Sequence, residues 1–291
     1  MTKDLIAIVG LNTDYKIYIP YYIIFLYYSN PNAHLLIITD NSHVTNYDES
    51  LEYAINVYGK NKIKILVDPP YLNNIKETNL IKKYLIARST IPYQYYEDYD
   101  YLYIGDVDLF IGEKDLFQNK IEILKKMNTT VVNFIRYVPN QKHGRVSGLH
   151  FIDIKSYLNK YRHKLSFKQD DLTKIFADLE FGMKIYDEHV WYHILDEDDI
   201  TKLLSHQKSN VQRMSLIVHP GPHMGIYRVL TPDKYENATD ILEYTKKYCT
   251  GIDSFLRGSM TINTEEFRMI HNKLNDHKVN IYISMVDSIP K

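Results

Sequence analysis

The sequence predicts an α/β fold, in which a mixed, mostly parallel central sheet is flanked by helices. Short aliphatic runs alternate with helical patterns through residues 5–104. This alternation is typical of βαβ units, which cover a parallel sheet on both faces. No internal repeat, low-complexity tract or linker interrupts the chain, and this favours a single domain.

The first half holds the regular elements. Its apolar runs predict strands at residues 5–9, 35–39, 62–67 and 101–104. Pro69 and Pro70 stop the third strand because proline cannot donate to a sheet. Helical periodicity predicts helices at residues 20–29, 50–58 and 79–89.

The second half is less regular. Strands are expected at residues 130–135, 149–154 and 216–219, and partly helical or amphipathic segments at residues 172–186 and 264–274.

Composition limits the classes of function. The 291 residues are 45% hydrophobic with a net charge of -1, enough for a large core and too balanced for a dedicated nucleic-acid binder. The single cysteine, Cys249, excludes an intramolecular disulfide and fits a reducing compartment. Residues 17–28 are the most apolar segment, but this segment is shorter than a bilayer span and is interrupted by Pro20. We expect a buried helix there and a cytoplasmic protein without a transmembrane segment; peripheral membrane association stays open.

The segment YLYIGDVDLFI, residues 101–111, places Asp106 and Asp108 at the end of a buried strand. Burying two like charges requires a cationic partner. In extended geometry, residues two apart point to the same side, so both carboxylates are expected to converge beyond the strand's carboxyl end, where α/β sheets bind ligands. Carboxylate pairs suit Mg²⁺ or Mn²⁺. The alternative is a solvated turn with paired acids.

Residues 88–111 resemble the donor-site segment of retaining GT-A-fold glycosyltransferases, chiefly family 8 with features of family 6. The match lies in Arg88, Ile91 and Pro92, in Asp100, and in the D-x-D pair. The resemblance implies a Rossmann-like GT-A fold in which Asp106 and Asp108 ligate a manganese ion that bridges the diphosphate of a nucleotide sugar. It also implies that Asp106 and Arg88 contact the donor.

Residues 7–15, AIVGLNTDY, resemble the first strand and donor-binding loop of that family. The resemblance makes Tyr15 the candidate for stacking on the base, and it places Asn12, Thr13 and Asp14 near the nucleoside. Base stacking on an aromatic contributes about 1–3 kcal/mol in nucleic-acid systems. The alternative is that Tyr15 packs as an ordinary core residue.

Residues 144–158 are similar to the strand by which the family binds the transferred sugar. Ser147 and Gly148 match that strand and are therefore implied donor-binding residues. Val146 stands where the family often has asparagine, so the donor sugar stays open. His150 alternates with apolar neighbours and is also consistent with a hydrogen-bonded histidine on a half-buried strand.

Residues 186–195, YDEHVWYHIL, resemble the family's acidic motif at a helix start. The resemblance implies that Asp187 and Glu188 are the catalytic residues beside the anomeric carbon. One would bind sugar hydroxyls, and the other would stabilise or attack the developing cation. The alternative is an acidic helix N-terminus, favoured by the helix dipole.

Residues 215–228, SLIVHPGPHMGIYR, resemble the family's late histidine loop. The resemblance implies that His219 completes the metal shell and that Gly221 lies at the donor. The family's lysine and tryptophan are missing here, so His223 or Arg228 is a candidate to replace that lysine at the diphosphate.

The resemblance spans residues 5–228. It implies a catalytic domain over residues 1–230, with a nucleotide-sugar half at 1–112 and an acceptor half at 113–230. Residues 231–291 would form a C-terminal extension packed on that domain or used for homo-oligomer formation.

The implied activity is metal-dependent transfer of a hexose, with retention, from UDP-Gal, UDP-Glc or an N-acetyl derivative to a glycan acceptor. Mn²⁺ is the expected cofactor, with Mg²⁺ as the alternative. The rival functions are a phosphatase or nucleotidyltransferase, and a non-catalytic module that binds nucleotide sugars.

Overall fold

The computed structural model describes residues 3–75, 80–114, 116–133, 135–136, 145–146, 149–165, 186–209, 221–225, 243 and 256–288. The strands are β1 (Lys3–Gly10), β2 (His34–Thr39), β3 (Ile63–Val67), β4 (Tyr99–Gly105), β5 (Val131–Val132), β6 (Ile135–Arg136), β7 (Arg145–Val146) and β8 (His150–Asp153).

The central sheet has the strand order β3-β2-β1-β4-β8-β5 within the described residues. Strands β1 to β4 run parallel, whereas β8 is antiparallel to both of its neighbours. The predicted mixed, mostly parallel sheet flanked by helices is confirmed. In the register, Val9 of β1 lies opposite Gly105 of β4, and Gly10 lies opposite Ile38 of β2, so the carboxyl ends of these strands share one edge.

The helices are α1 (Ile19–Ser29), α2 (Tyr47–Tyr58), α3 (Leu80–Ser89), α4 (Leu116–Met127), α5 (Ile154–Tyr161), α6 (Tyr186–Ile194), α7 (Glu197–Ser209), α8 (Glu265–Leu274) and α9 (His277–Asp287). Several begin at residues that satisfy their first backbone N–H groups. Asp153, Thr264 and Asp276 accept such bonds at the starts of α5, α8 and α9. Pro20 stands in the first turn of α1, where a missing N–H costs nothing.

The core lies on both faces of the sheet because successive strand residues point to opposite sides. Leu5, Ala7 and Val9 of β1 belong to the core cluster that includes α1. Ile6 and Ile8 belong to the cluster that includes α3, α5 and α6. Helix α1 is buried along almost its whole length, packed between the sheet, α2 and α8, which confirms the buried helix predicted for this apolar segment.

Two predicted strands have the wrong bounds. Residues 130–135 are not one strand, because β5 pairs with β8 whereas β6 pairs with β7 in a separate two-stranded sheet. The two are separated by Asn133, whose buried side chain turns to His150. The strand predicted at 149–154 ends at Asp153, and Ile154 already begins α5. The strand predicted at residues 216–219 lies outside the described residues, as does the segment predicted at 172–186 except for Tyr186, which begins α6.

Within the described ranges, no helix combines the length and the apolar character needed to cross a membrane.

Candidate active site

The D-x-D pair lies at the carboxyl edge of the parallel strands, directly after β4. Asp106 follows Gly105, and the backbone then turns, with the N–H of Leu109 donating to the Asp106 carbonyl at 3.1 Å. The two side chains therefore converge through a turn and not through extended alternation, which corrects the geometric reason given for the prediction. The Asp106 side chain is 31% exposed, whereas Asp108 is buried.

The cation paired with Asp106 is Arg88, in the last turn of α3. Its Nη1 donates to Asp106 Oδ1 and to the Gly105 carbonyl, both at 2.6 Å. Arg88 is only 2% exposed, so these charge-assisted bonds act where solvent screening is weak. The structure thus places Arg88 against the D-x-D segment itself. Its predicted contact with a donor stays a prediction.

The histidine beside the D-x-D pair is His223. The segment 221–225 runs antiparallel to residues 108–110. The Phe110 N–H donates to the Pro222 carbonyl at 2.9 Å, and the Met224 N–H donates to the Asp108 carbonyl at 2.7 Å. This pairing places His223 Nε2 3.4 Å from Asp108 Oδ1.

Gly221 makes this close approach sterically possible. A Cβ at position 221 would overlap the Phe110 carbonyl oxygen. Glycine is therefore required here for packing of one backbone against another. The predicted donor contact of Gly221 stays a prediction.

Asp106, Asp108 and His223 form a candidate metal-binding group. One potential ligand atom from each lies within 4.8 Å of the others. Two carboxylates and an imidazole suit Mn²⁺ better than Mg²⁺, which prefers oxygen ligands. The residues present therefore fit the implied ion. His223 was predicted as a diphosphate contact and not as a ligand, whereas His219, the predicted ligand, lies outside the described residues.

The segment between β1 and α1 borders the same sheet edge. Asn12 is buried, and its Nδ2 donates to Asp14 at 3.3 Å. Asn12 Oδ1 accepts no hydrogen bond within the described part of the chain. Tyr15 is half-buried, with its ring centroid 6.1 Å from that of Tyr18. Thr13 begins the 3₁₀ turn Thr13–Tyr18.

Lys16 fixes this segment to the end of β2. Its buried ammonium donates to the carbonyls of Asp40 and Ser42 at 2.7 and 2.6 Å, and it pairs with Asp40 Oδ1 at 2.8 Å. An ammonium has three hydrogens, so these three acceptors match its capacity. Sequence reasoning missed Lys16, since no motif links it to Asp40.

Several buried polar side chains lie near Arg88, and His150 is one of them. Burial lowers the pKa of His150 well below its usual range, and the nearby Arg88 guanidinium lowers it further, so this imidazole is neutral. Asn133 hydrogen-bonds the His150 ring, and the Trp191 ring lies with its centroid 4.0 Å away. Trp191 Nε1 donates to Ser89 Oγ at 2.8 Å. Asn133 and Trp191 carried no sequence signal, because their partners are distant in the chain.

Asp187 and Glu188 lie in the first turn of α6, which begins at Tyr186. The Glu188 side chain is buried, with only 4% of the residue exposed. Ser147 and Gly148 lie outside the described residues, and their predicted contacts with the sugar stay predictions.

No family model and no curated protein sequence matches the chain. The chain is similar to the solved structure of the galactosyltransferase LgtC in complex with donor and acceptor sugar analogs, at 11% identity over 66% of this chain and 70% of that one, with a TM-score of 0.42. It is also similar to the glycosyltransferase GlyE of Streptococcus pneumoniae TIGR4, at 12% identity over 79% of this chain and 57% of that one, with a TM-score of 0.44. A third similar structure is mouse xyloside xylosyltransferase 1, at 10% identity over 72% and 83%, with a TM-score of 0.36. These overlaps are partial and the identities low, so the case for a function rests on the site itself.

Proposed function

We propose that the protein is a metal-dependent glycosyltransferase that moves a hexose from a nucleotide sugar, UDP-linked, to a glycan acceptor with retention. One observation carries the proposal: Asp106, Asp108 and His223 converge at the carboxyl edge of the parallel strands. In open α/β sheets this edge is where ligands bind. The resemblance of residues 88–111 to the donor-site segment supplies the substrate class.

The chemistry follows from the charges at this edge. A divalent ion held by Asp106, Asp108 and His223 would stabilise negative charge on a diphosphate leaving group, as a Lewis acid. Arg88 holds Asp106 in place by a charge-assisted bond, and the pairing of segment 221–225 with residues 108–110 holds His223 beside Asp108.

Other predicted site residues would contact the nucleoside and the sugar of the donor. The side-chain oxygen Oδ1 of Asn12 is a buried acceptor for a hydroxyl or N–H of the nucleoside, and Tyr15 offers a ring for the base. Asp187 or Glu188 would stabilise positive charge at the anomeric carbon, a role that rests on the family resemblance.

The test is turnover with a panel of UDP- and GDP-sugars in the presence of Mn²⁺, measured as release of free nucleoside diphosphate. We expect turnover with at least one UDP-sugar, its loss with EDTA, and its loss in Asp108→Ala. Asp198→Ala is the matched control, because Asp198 is the exposed member of a different acidic group. Absence of turnover and of binding with every donor, unchanged by EDTA, contradicts the proposal. Full activity in Asp108→Ala contradicts the metal assignment.

Burial of Glu188 favours a second candidate, a module that binds nucleotide sugars without turnover, because a catalytic carboxylate must reach its substrate. Calorimetry separates the two functions. Donor binding that requires Mn²⁺, combined with no product release under any acceptor condition, indicates the binding module.

A further inference from the structure

The described C-terminal segment, residues 256–288, packs against the chain that carries the candidate metal ligands. A Cβ at Gly112 would lie 2.9 Å from the backbone of Arg257 and Gly258. A Cβ at Gly258 would lie 3.1 Å from Pro222 Cγ and 2.7 Å from the Tyr282 hydroxyl oxygen. At Gly112 the neighbouring atoms belong to the backbone, whereas at Gly258 they belong to the side chains of Phe25, Tyr282 and Pro222. Neither position leaves room for a side chain.

These contacts form a three-layered arrangement, which we call the glycine clamp: residues 108–112, residues 221–224 and residues 257–258. The first two layers are joined by the bonds from Phe110 to Pro222 and from Met224 to Asp108. The third layer contacts the first at Gly112 and the second at Pro222. Asp108 and His223 thus lie on two layers that both contact the third layer.

A charged contact also joins the third layer to Glu113, the residue that follows the first layer. Glu113 Oε2 lies 3.5 Å from Lys120 Nζ and 3.7 Å from Arg257 Nη1. Lys120 is fully buried, and burial lowers its pKa to about 8. An aromatic cluster completes the contact. Phe110 stacks on Phe25 of α1 at 4.8 Å, and Phe25 meets Phe267 of α8 edge-on at 6.0 Å.

We propose that the C-terminal segment is a positioning element of the candidate metal site, which holds His223 against Asp108 through the glycine clamp. In its metal-binding part this inference rests on the proposed function. The contacts themselves do not, since they are made by backbone atoms and by side chains other than those of the candidate ligands. Residues that orient metal ligands without touching the ion typically change metal affinity by about 10–100-fold when they are mutated.

The test uses Gly258→Ala in the full chain, because this change lies outside the candidate metal ligands. Its readouts are amide hydrogen exchange at Phe110 and Met224, whose N–H groups bridge the first two layers, and Mn²⁺ affinity measured by electron paramagnetic resonance. We expect exchange about tenfold faster at both amides through local opening, while strand β1 stays protected. We expect Mn²⁺ binding about 10–100-fold weaker.

Arg257→Gln is the second variant, in case Gly258→Ala does not fold, and Arg257→Lys should restore part of the effect by keeping the charge beside Glu113. Lys273→Ala is the matched control, since Lys273 belongs to the same segment but pairs with Glu49 at the surface. We expect parent-like exchange and affinity in this control.

The outcomes separate the two proposals. Unchanged exchange at Phe110 and Met224 in both Gly258→Ala and Arg257→Gln overturns the clamp, whatever the metal result. If the parent protein binds no Mn²⁺, the proposed function fails, and the exchange rates alone decide whether the segment holds residues 221–225 in place. Faster exchange with unaltered Mn²⁺ affinity overturns the positioning role.

Discussion

At the scale of single residues, the two aspartates of the D-x-D pair lie beside different basic side chains. Asp106 shares one oxygen with the buried Arg88 guanidinium, and Asp108 faces the His223 imidazole. A pair of bare carboxylates at a strand end would repel each other, so these partners lower the cost of the site before an ion binds.

His150 gives a prediction for acid stability. Its folded-state pKa is depressed by burial, so below about pH 6.5 the unfolded chain binds a proton that the folded chain does not. This residue's contribution is therefore fully present above pH 6.5 and falls as the pH drops below it, by up to about 1.4 kcal/mol per pH unit.

We expect His150→Gln to flatten the slope of unfolding free energy against pH below about pH 6.5, as measured by urea denaturation. His163→Gln serves as the control, because it makes the same substitution at an exposed position. A slope in His150→Gln equal to that of the parent protein would contradict the assignment.

At the scale of elements, the sequence allowed prediction of the parallel strands and α1 to α3, because each is specified by a local period of hydrophobic residues. It allowed prediction of Asp106 and Asp108 at a strand end for the same reason. His223 as the neighbour of Asp108 could not be predicted, since it depends on pairing between Leu109 and a segment more than a hundred residues away. The same holds for the separation of β5 from β6, which is decided by pairing with β8 and β7.

Lys16 connects two elements at the sheet edge, and its removal should loosen the segment between β1 and α1. Lys16→Met leaves the buried Asp40 carboxylate and two carbonyls without this donor, so we expect a loss of about 3–5 kcal/mol in the free energy of unfolding. Urea denaturation measures the loss.

The matched control is Lys62→Met, whose ammonium donates to the Pro31 carbonyl at an exposed position. That change should stay within about 0.5 kcal/mol of the parent protein. Equal losses in the two variants would show that burial of Lys16 is not what stabilises this segment.

At the scale of the whole molecule, two clusters of potential metal ligands within the described residues have side chains close enough to hold an ion. The group of Asp196, Asp198 and Asp199 already surrounds a cation, since Lys160 Nζ lies 2.9, 3.8 and 3.1 Å from their oxygens. A metal would have to displace that lysine. The group of Asp106, Asp108 and His223 is bordered by the strand ends of the parallel sheet and by segment 221–225, so an ion there would join elements from both halves of the chain.

This difference predicts how Mn²⁺ changes the stability of the whole fold. An ion that binds only the folded state stabilises it by mass action, by about 2.7 kcal/mol at a concentration 100 times its dissociation constant. Asp108→Asn removes one ligand charge, so we expect the melting temperature of this variant to respond little to Mn²⁺. The melting temperature of Asp198→Asn should respond to Mn²⁺ as that of the parent protein does, because Lys160 already occupies the cluster that contains Asp198. Thermal unfolding with and without Mn²⁺ measures the shifts. A parent protein whose melting temperature does not respond to Mn²⁺ would contradict the metal site. A shift lost in Asp198→Asn and kept in Asp108→Asn would place the ion at the other group.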